Sequence, residues 1–392
     1  MELRELLSVE GMRLLDSLPT YETTQDVVRV VADLRKAGHS PGLVAAVLSQ
    51  SRLRARARSK FGAFADRMLF TEIGLEQATR LSVAAQHAGR FKRAGVKWIA
   101  DLGCGIGADA LALAALELEV MAVERDEVTA AIAAYNLAPW SNARVENGSA
   151  EHADLSGIDG IYLDPARRDG AKRLKHPADW SPSLDFAFGL ATRYPTGIKL
   201  GPGIDRDLIP ADAEAQWVSV DHDVVELGLW FGALARAGIR RSALVIGDHG
   251  TAELTAEGDS ADVAVGSLGD YLYEPDGAVI RARLIGDLAR TLDGRMLSSS
   301  IAYVTADAAL KTPFAACFRI VAEFPLDQRA LKRELAARKI GTIEIKKRGV
   351  DIDPAAFRTG LNPKGDETGT LVLTRIGEKR NALLVERVWP SL

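Results

Sequence analysis

The residues best suited to chemistry lie in two stretches. The first is "WIADLGCGIGADALALAALELEVMAVERD". A strand pattern ends there at Asp101, glycines follow at 103, 105 and 107, and a helical pattern opens near Ala108. Only glycine permits so tight a strand-to-helix turn with close backbone approach to a ligand. The next strand pattern ends at Glu124. Its carboxylate falls beside the loop and can accept hydrogen bonds from both hydroxyls of a ribose, so loop and acid form a nucleoside-binding half-site. The second stretch is "YLDPARRDGAKR", Tyr162–Arg173, after a short strand pattern at Gly160–Leu163. Asp164-Pro165 is compatible with a plain turn, since proline ends strands and aspartate caps them. Arg167, Arg168, Lys172 and Arg173 follow it closely. The segment therefore suits a solvated turn, a phosphate grip or a loop that holds a substrate for reaction.

Gly103, Gly105 and Ala108 also satisfy a loose dinucleotide pattern, so the glycines alone leave the nucleoside open. Asp101 stands two residues before the first glycine, and Gly107 takes the third alternating place. This D-x-G-x-G-x-G resembles motif I of the class I S-adenosylmethionine (SAM)-dependent methyltransferases, and Glu124 strengthens the resemblance. The family implies SAM as cofactor, with Asp101, Gly103 and Gly105 around its methionine part and Glu124 on the ribose; Gly107 and Arg125 are further cofactor-binding candidates. After the third strand pattern the run is Asn147-Gly148-Ser149-Ala150-Glu151. Ser149 stands where the family often has an acid near the adenine, and Glu151 is the alternative; a glycine-containing turn with no contact is an equal reading. "FTEIGLEQATR" (70–80) resembles the segment that closes over the methionine end, which makes Gln77 and Thr79 candidates. A helix cap with surface polar residues is the plainer account of both.

"YLDPARR" sits where this family keeps its catalytic loop, beyond the strand end facing the cofactor. Amino-group methyltransferases resemble one another in an (Asp/Asn/Ser)-Pro-Pro-aromatic motif, in which the first side chain accepts hydrogens from the target amine and the aromatic stacks on the base. This chain keeps Asp164-Pro165 but has Ala166-Arg167 in place of Pro-aromatic. An Arg guanidinium can stack on a base and also hold a phosphate, so Asp164, Pro165 and Arg167 are the catalytic candidates and Arg168 a substrate contact. "DPARRDG" also resembles the Asp-Pro-Pro-Arg-x-Gly loop of enzymes that methylate a uracil ring carbon, with one extra residue before its Gly. Those enzymes need a cysteine at the following strand, which here reads "IKLGPGID". A cysteine-adduct mechanism is therefore rejected.

"DLGCGIGAD", "DPARRDG", "IKLGPG", "EIKKRGVDIDP" and "TLVLTRI" together resemble a bacterial family of class I methyltransferases with a THUMP-like C-terminal domain. The resemblance covers most of the chain and implies an RNA substrate, tRNA or rRNA. Lys346, Lys347 and Arg348 belong to a basic cluster that is either a solvated face or a phosphate-tracking patch. The alternating cations from Arg52 to Lys60 admit the same two readings. Lys199 in "IKLGPG" either faces the pocket or caps its strand. The six histidines show no ligand spacing, so no metal is expected.

The elements that must position these residues follow from pattern. Residues 1–85 are expected to form an N-terminal helical region: "TTQDVVRVVADLRKAG" has helical periodicity, and "SPGLVAAVLSQ" starts with Ser40 as cap and Pro41 at the first position. Residues 86–250 alternate strands and helices, including "ARVEN", "TGIKLGPG", "WVSVDHDV" and "RRSALVIGD". That series predicts an α/β, Rossmann-like doubly wound methyltransferase sheet. Residues 251–392 are expected to hold the α+β, THUMP-like domain, closing as β-α-β-α-β-β from Phe318 onward.

Composition sets outer limits. With 392 residues, 47% apolar and 26% charged, the chain has the make-up of a globular protein of several domains. A net charge of -4 leaves polyanion binding to local patches. Cys104 and Cys317 are the two cysteines, which excludes a disulfide framework and fits a reducing cytoplasm. The most apolar run, Ala110–Leu116, is too short to span a membrane. The reading is a SAM-dependent methyltransferase acting on an RNA base nitrogen by direct displacement. A small-molecule or protein methyltransferase, and a SAM- or RNA-binding protein with degenerate catalysis, are the alternatives.

Overall fold

The structure is a computed structural model that describes residues 5–18, 24–165, 168–169, 172–173, 180–248 and 250–389; for 24–27, 168–169 and 172–173 it describes the backbone only. The chain forms two compact units, Met1–Lys199 with Trp230–Leu234, and Leu200–Leu229 with Ala235–Leu392.

In the first unit, helices α1 (Val9–Ser17), α2 (Thr24–Lys36), α3 (Pro41–Phe61), α4 (Glu72–Gln77) and α5 (Leu81–Arg93) precede the strands. Ser40 caps α3 through a hydrogen bond from the Leu43 amide, with Pro41 at its first turn, as expected. The cations of α3 are tied to neighbours within the unit. Arg52 and Arg56 pair with Glu72, Arg58 with Asp66, and buried Arg54 with Asp16 and the Met68 carbonyl. Lys60 donates to the carbonyls of Leu75, Glu76 and Ala78, satisfying the end of α4. This basic run pins the helices together, which neither a freely solvated face nor a phosphate track would require.

The strands β1 (Trp98–Leu102), β2 (Glu119–Glu124), β3 (Ala143–Asn147), β4 (Gly160–Leu163) and β7 (Thr196–Leu200) pair in parallel in the order β7-β4-β1-β2-β3. Helices α6 (Ala108–Ala115), α7 (Glu127–Leu137) and α8 (Leu184–Ala191) lie between strands in sequence, as parallel pairing demands. Two-residue strands β5 (Arg168–Asp169) and β6 (Lys172–Arg173) form a small ladder of their own. Register matters most for function. Val123, Leu102, Leu163 and Ile198 share one rung across β2, β1, β4 and β7. The next residue of each strand path, Glu124, Gly103, Asp164 and Lys199, therefore stands in one row at the carboxyl edge.

In the second unit, β8 (Glu214–Val220) and β9 (Asp223–Phe231) are joined by Asp221 and His222, both at positive φ. That is the geometry of a tight hairpin turn, so the run expected as one strand at 217–224 is broken there. β10 (Arg241–Gly247) lies parallel to β8 and antiparallel to β11 (Gly250–Ala256). A seven-stranded sheet follows in the order β13-β14-β12-β15-β18-β17-β16, built from β12 (Tyr271–Pro275), β13 (Arg295–Ser298), β14 (Ile301–Ala306), β15 (Ala315–Pro325), β16 (Ile340–Lys347), β17 (Glu367–Ile376) and β18 (Lys379–Arg387). Helices α9 (Gly277–Arg281) and α10 (Ile285–Thr291) come before β13, while α11 (Gln328–Ala337) and α12 (Pro354–Leu361) flank β16 in sequence. From β15 the series is β-α-β-α-β-β, as the sequence predicts. Alternation in β17 puts Leu371 and Leu373 into the core beneath Leu331, Leu335 and Leu361, and Val372 into the opposite core with Tyr303 and Phe318. Among the described residues, no helix is long and apolar enough to cross a membrane.

Candidate active site

The row at the carboxyl edge of the first unit builds the site. Beyond β1 the chain turns away through Gly103, Gly105 and Gly107, at φ +88°, +55° and +84°. The Gly103 and Cys104 amides donate to the Val123 carbonyl, at 2.9 and 3.0 Å, which fastens the loop to β2. The Gly105 amide donates to Glu124 Oε2 at 3.1 Å, and the Asp126 amide to Oε1 at 2.9 Å. Glu124 is thus aimed by the loop it stands beside. A Cβ at Gly105 would meet nothing within 4 Å, so this stretch of backbone lies open to a ligand. A Cβ at Gly107 would instead lie 3.3 Å from Leu137 of α7. Gly107 allows helix packing, whereas Gly105 presents the open surface.

Asp101 supplies the second feature. It is 1% exposed, and its Oδ2 has no hydrogen-bond partner among the described residues. Burial pushes its carboxyl well above the usual range, Asp109 and Asp164 add to the rise, and Lys199 opposes it. A buried carboxylate oxygen without a partner is costly and calls for a cationic donor. The ammonium of an amino-acid ligand would meet that need. Open glycine backbone, a fixed acid at the end of β2 and a buried acid at the end of β1 with one oxygen unpartnered among the described residues together fit SAM.

Asp164 follows β4 and is 34% exposed at its side chain, so it can reach a substrate. Its carbonyl lies 3.6 Å from the position a Gly103 Cβ would take. Lys199 Nζ lies 2.5 Å from Asp164 Oδ2 and 3.0 Å from Thr79 Oγ1. Thr79 donates to Asp109 Oδ2 at 2.6 Å, and Asp109 Oδ1 lies 2.8 Å from His87 Nδ1. Pro165 is buried. Arg167 and the side chain of Arg168 lie outside the described residues.

The remaining candidates are placed as follows. Arg125 is exposed and donates to Ser181 Oγ at 2.9 Å. Ser149 and Glu151 hydrogen-bond each other at a short turn, with the Glu151 amide 3.3 Å from Ser149 Oγ. Gln77 exposes its side chain, and its carbonyl lies 3.4 Å from Lys199 Nζ. In the second unit, Lys346 pairs with Glu274 at 2.9 Å and lies over Phe318. Arg348 donates to the Ala302 carbonyl at 3.1 Å and covers the Tyr303 ring. Lys347 is exposed. Among the described residues, no group of three or more metal-ligating side chains gathers. Burial pushes the Cys104 thiol well above its ordinary value, with Asp101 and Glu124 adding, which makes it a poor nucleophile.

Sequence reasoning missed Asp109, His87 and Tyr162. A signal for His87 exists: it lies in the apolar stripe of α5 with Val83, Ala84, Ala88 and Phe91, all buried. Asp109 is the acid inside an otherwise apolar, fully buried helix start.

Comparisons with known proteins bear on the family and the fold. A family model described as THUMP domain-like matches residues 315–387, and one described as a domain of unknown function matches residues 1–57. A relative from Mycobacterium tuberculosis, present in two strains and described as an uncharacterized S-adenosylmethionine-dependent methyltransferase, is 32% identical over 342 residues. The match spans 83% of this chain and 91% of the relative. The crystal structure of a proposed methyltransferase from Porphyromonas gingivalis superposes with a TM-score of 0.69 at 20% identity. It covers 94% of this chain and 99% of that one, a likeness of fold.

Proposed function

This chain belongs to the S-adenosylmethionine-dependent methyltransferases, and we propose that it methylates a base nitrogen in tRNA or rRNA. The observation that carries the reading is Asp164: a partly exposed carboxylate beside the glycine loop, in the row shared with Glu124 and Gly103. When bound, SAM would supply an electrophilic methyl carbon on a positively charged sulfur, open to in-line attack by the acceptor nitrogen with S-adenosylhomocysteine as the leaving group. Asp101 and the loop would hold its methionine part, and Glu124, with Arg125 beside it, its ribose. Ser149, Gln77 and Thr79 enter as contacts of the cofactor's periphery, Thr79 through its hold on Lys199. The protein contributes alignment and exclusion of water.

Asp164 accepts the hydrogen of the target nitrogen, orients its lone pair and can take the proton after attack. Pro165 stiffens the strand exit. Arg167 and Arg168, placed just past it in sequence, hold the base or its phosphate. The RNA part of the proposal draws on the THUMP-like match and on the cations at the end of β16 and just past it, where exposed Lys347 is best placed to meet phosphate and Lys346 and Arg348 are anchored beside it. We propose three divisions of labour: helical support in 1–85, methyl transfer in 86–250 and substrate delivery in 251–392. The two free, buried cysteines fit work in a reducing cytoplasm.

The test is transfer of label from SAM to total RNA. RNA from a strain lacking this protein is expected to accept label, and RNA from the parent is not. If neither accepts label while SAM still binds, the RNA reading fails. Asp164→Ala is expected to reduce transfer about 100-fold or more; full transfer by that variant would remove Asp164 from the mechanism.

A further inference from the structure

Helix α4 has six residues, far fewer than the roughly 12–15 below which an isolated helix is marginal in water. Its shape is therefore set by what grips its two ends. At the start, Thr71 accepts a hydrogen bond from the Gly74 amide at 2.9 Å, and Arg52 and Arg56 of α3 pair with Glu72. At the other end no later helical amide reaches the last carbonyls. Lys60 of α3 meets three carbonyls there with one ammonium: Leu75 at 2.8 Å, Glu76 at 2.7 Å and Ala78 at 2.8 Å. Burial, with Lys199 and Arg80 as like charges, pushes that ammonium down to about 8, so at neutral pH it still carries all three N–H donors.

What α4 rests on is the middle of the glycine loop. Gly74 lies against Ile106, the residue between Gly105 and Gly107: a Cβ at Gly74 would stand 2.5 Å from Ile106 Cγ2 and 2.7 Å from Thr71 Oγ1. Ile106 is buried, and its carbonyl accepts from Asn136 Nδ2 of α7 at 2.9 Å. The same Asn136 amide exchanges two hydrogen bonds with the Leu69 backbone, at 2.8 and 3.0 Å. Gln50 of α3 does likewise with Phe70, at 2.7 and 3.0 Å, and Arg54 donates to the Met68 carbonyl at 2.9 Å. The backbone from Met68 to Ala78 is thus tied to α3 at successive points, and between those ties it presses on Ile106. Lys60 is the tie that closes the far end, and it engages three backbone groups at once.

We propose that Lys60 is a positioning residue for the cofactor: by closing the end of α4 it keeps Gly74 seated on Ile106, and the seated Ile106 holds the Gly105–Gly107 turn in the shape that leaves the Gly105 backbone open to SAM. Lys60 acts through α4 and the loop. The chain of contacts is short and steric at its centre. Lys60 fixes the Leu75 carbonyl, Leu75 adjoins Gly74, and Gly74 has no space between itself and Ile106 for even a methyl group. A last turn of α4 released from Lys60 lets Gly74 lift from Ile106, and the loop then samples shapes that SAM binding has to reverse. The cost appears in affinity, because an ordered site that must first be re-formed binds more weakly.

The test compares full-length wild type with Lys60→Met, Lys60→Arg, Gly74→Ala and Arg58→Met. Calorimetric titration with SAM reads affinity, and amide hydrogen exchange in the free protein reads the loop. The Gly105 amide, bonded to Glu124 Oε2, and the Gly107 amide, bonded to the Cys104 carbonyl, are its reporters. Lys60→Met is expected to weaken SAM binding about tenfold or more, the worth of a charge-assisted hydrogen bond or two, and to speed exchange at both reporters. Lys60→Arg keeps a cation that donates to carbonyls, and is expected to bind SAM within about threefold of wild type. Gly74→Ala, which forces Ile106 to move while Lys60 stays, is expected to weaken binding about tenfold. Arg58→Met removes an α3 cation that pairs with Asp66, outside α4, and is expected to change affinity by less than about twofold. Unchanged affinity in folded Lys60→Met overturns the proposal. So does a loss that Arg58→Met matches, or a loss without faster exchange at the reporters. If Lys60→Met does not fold, Gly74→Ala decides: full affinity there sinks the idea. Both readouts are taken without RNA, so they stand or fall apart from the RNA reading.

Discussion

In the proposed site, Asp101 would serve binding at the expense of the empty protein. Its carboxyl is raised in the folded state, so the folded protein binds its proton more tightly than the unfolded chain does. Stability therefore falls as pH rises from the ordinary aspartate value, about 4, through the raised folded value, and is level above it. Asp101→Asn removes that titration. At pH 7 and without cofactor, the variant is expected to melt roughly 2–4 °C higher than wild type, and at pH 4 to match it. The same variant should bind SAM at least about tenfold more weakly, because a donor replaces the unpartnered acceptor. Calorimetry of the free protein across that range, with a cofactor titration at pH 7, checks both halves. A variant no more stable at pH 7, or one with unchanged affinity, contradicts the account.

Asp109 is the opposite case. Burial alone would raise its carboxyl, but hydrogen bonds and charges from His87, Lys199 and Thr79 together hold it below the usual range. It stabilises the fold above the ordinary aspartate value, and that contribution is lost as pH falls through the depressed one. Its role was hidden in the sequence because an acid at the first turn of a helix reads as a favourable charge at the helix N-terminus. Only the meeting of Thr79, between α4 and α5, with His87 of α5 and Asp109 of α6 shows what it holds.

At the scale of elements, the glycine loop divides its labour. Gly105 and Gly107 both sit at positive φ, so alanine at either costs about 1 kcal/mol of backbone strain. Gly107 adds a contact with Leu137, which must move to admit a methyl group. Gly107→Ala is expected to lose about 2 kcal/mol in urea unfolding with little selective loss of SAM affinity. Gly105→Ala should lose less stability and more affinity, because its open side is where a ligand approaches. Equal effects of the two substitutions on both measurements would contradict this assignment. The presence and order of β1, α6 and β2 were legible because periodicity changes sharply at the glycines. The hairpin turn at Asp221–His222 was not legible, because the hydrophobic alternation continues on both sides of it. Helix α3 was legible as a helix, but the partners of its arginines were not, since Glu72, Asp66 and Asp16 reach them only through the fold.

At the scale of the whole molecule, a small net charge of -4 means that the proposed RNA binding must come from patches. Of the three cations at the end of β16 and just past it that are proposed to meet RNA, Lys346 and Arg348 already have partners within the second unit, and Lys347 is exposed. Lys347→Glu is therefore expected to weaken binding of the RNA substrate and reduce the slope of log affinity against log salt by about one. SAM affinity should not change. Filter binding at several salt concentrations reads the slope, and an unaltered slope would take Lys347 out of the RNA interface.

The sequence by itself determined the fold class, the glycine loop flanked by its two acids, and the β-α-β-α-β-β order of the THUMP-like segment. These are local properties, written in hydrophobic period and in glycine placement along a few consecutive residues. The tertiary structure decided the rest: that Gly107 packs a helix, that Arg52–Lys60 staples the N-terminal helices, and that Lys199 is tied to Asp164 and, through Thr79, to Asp109 and His87. Those facts depend on strand register and on which buried groups meet. Each joins residues separated by tens of positions, and no local pattern records a distance in space.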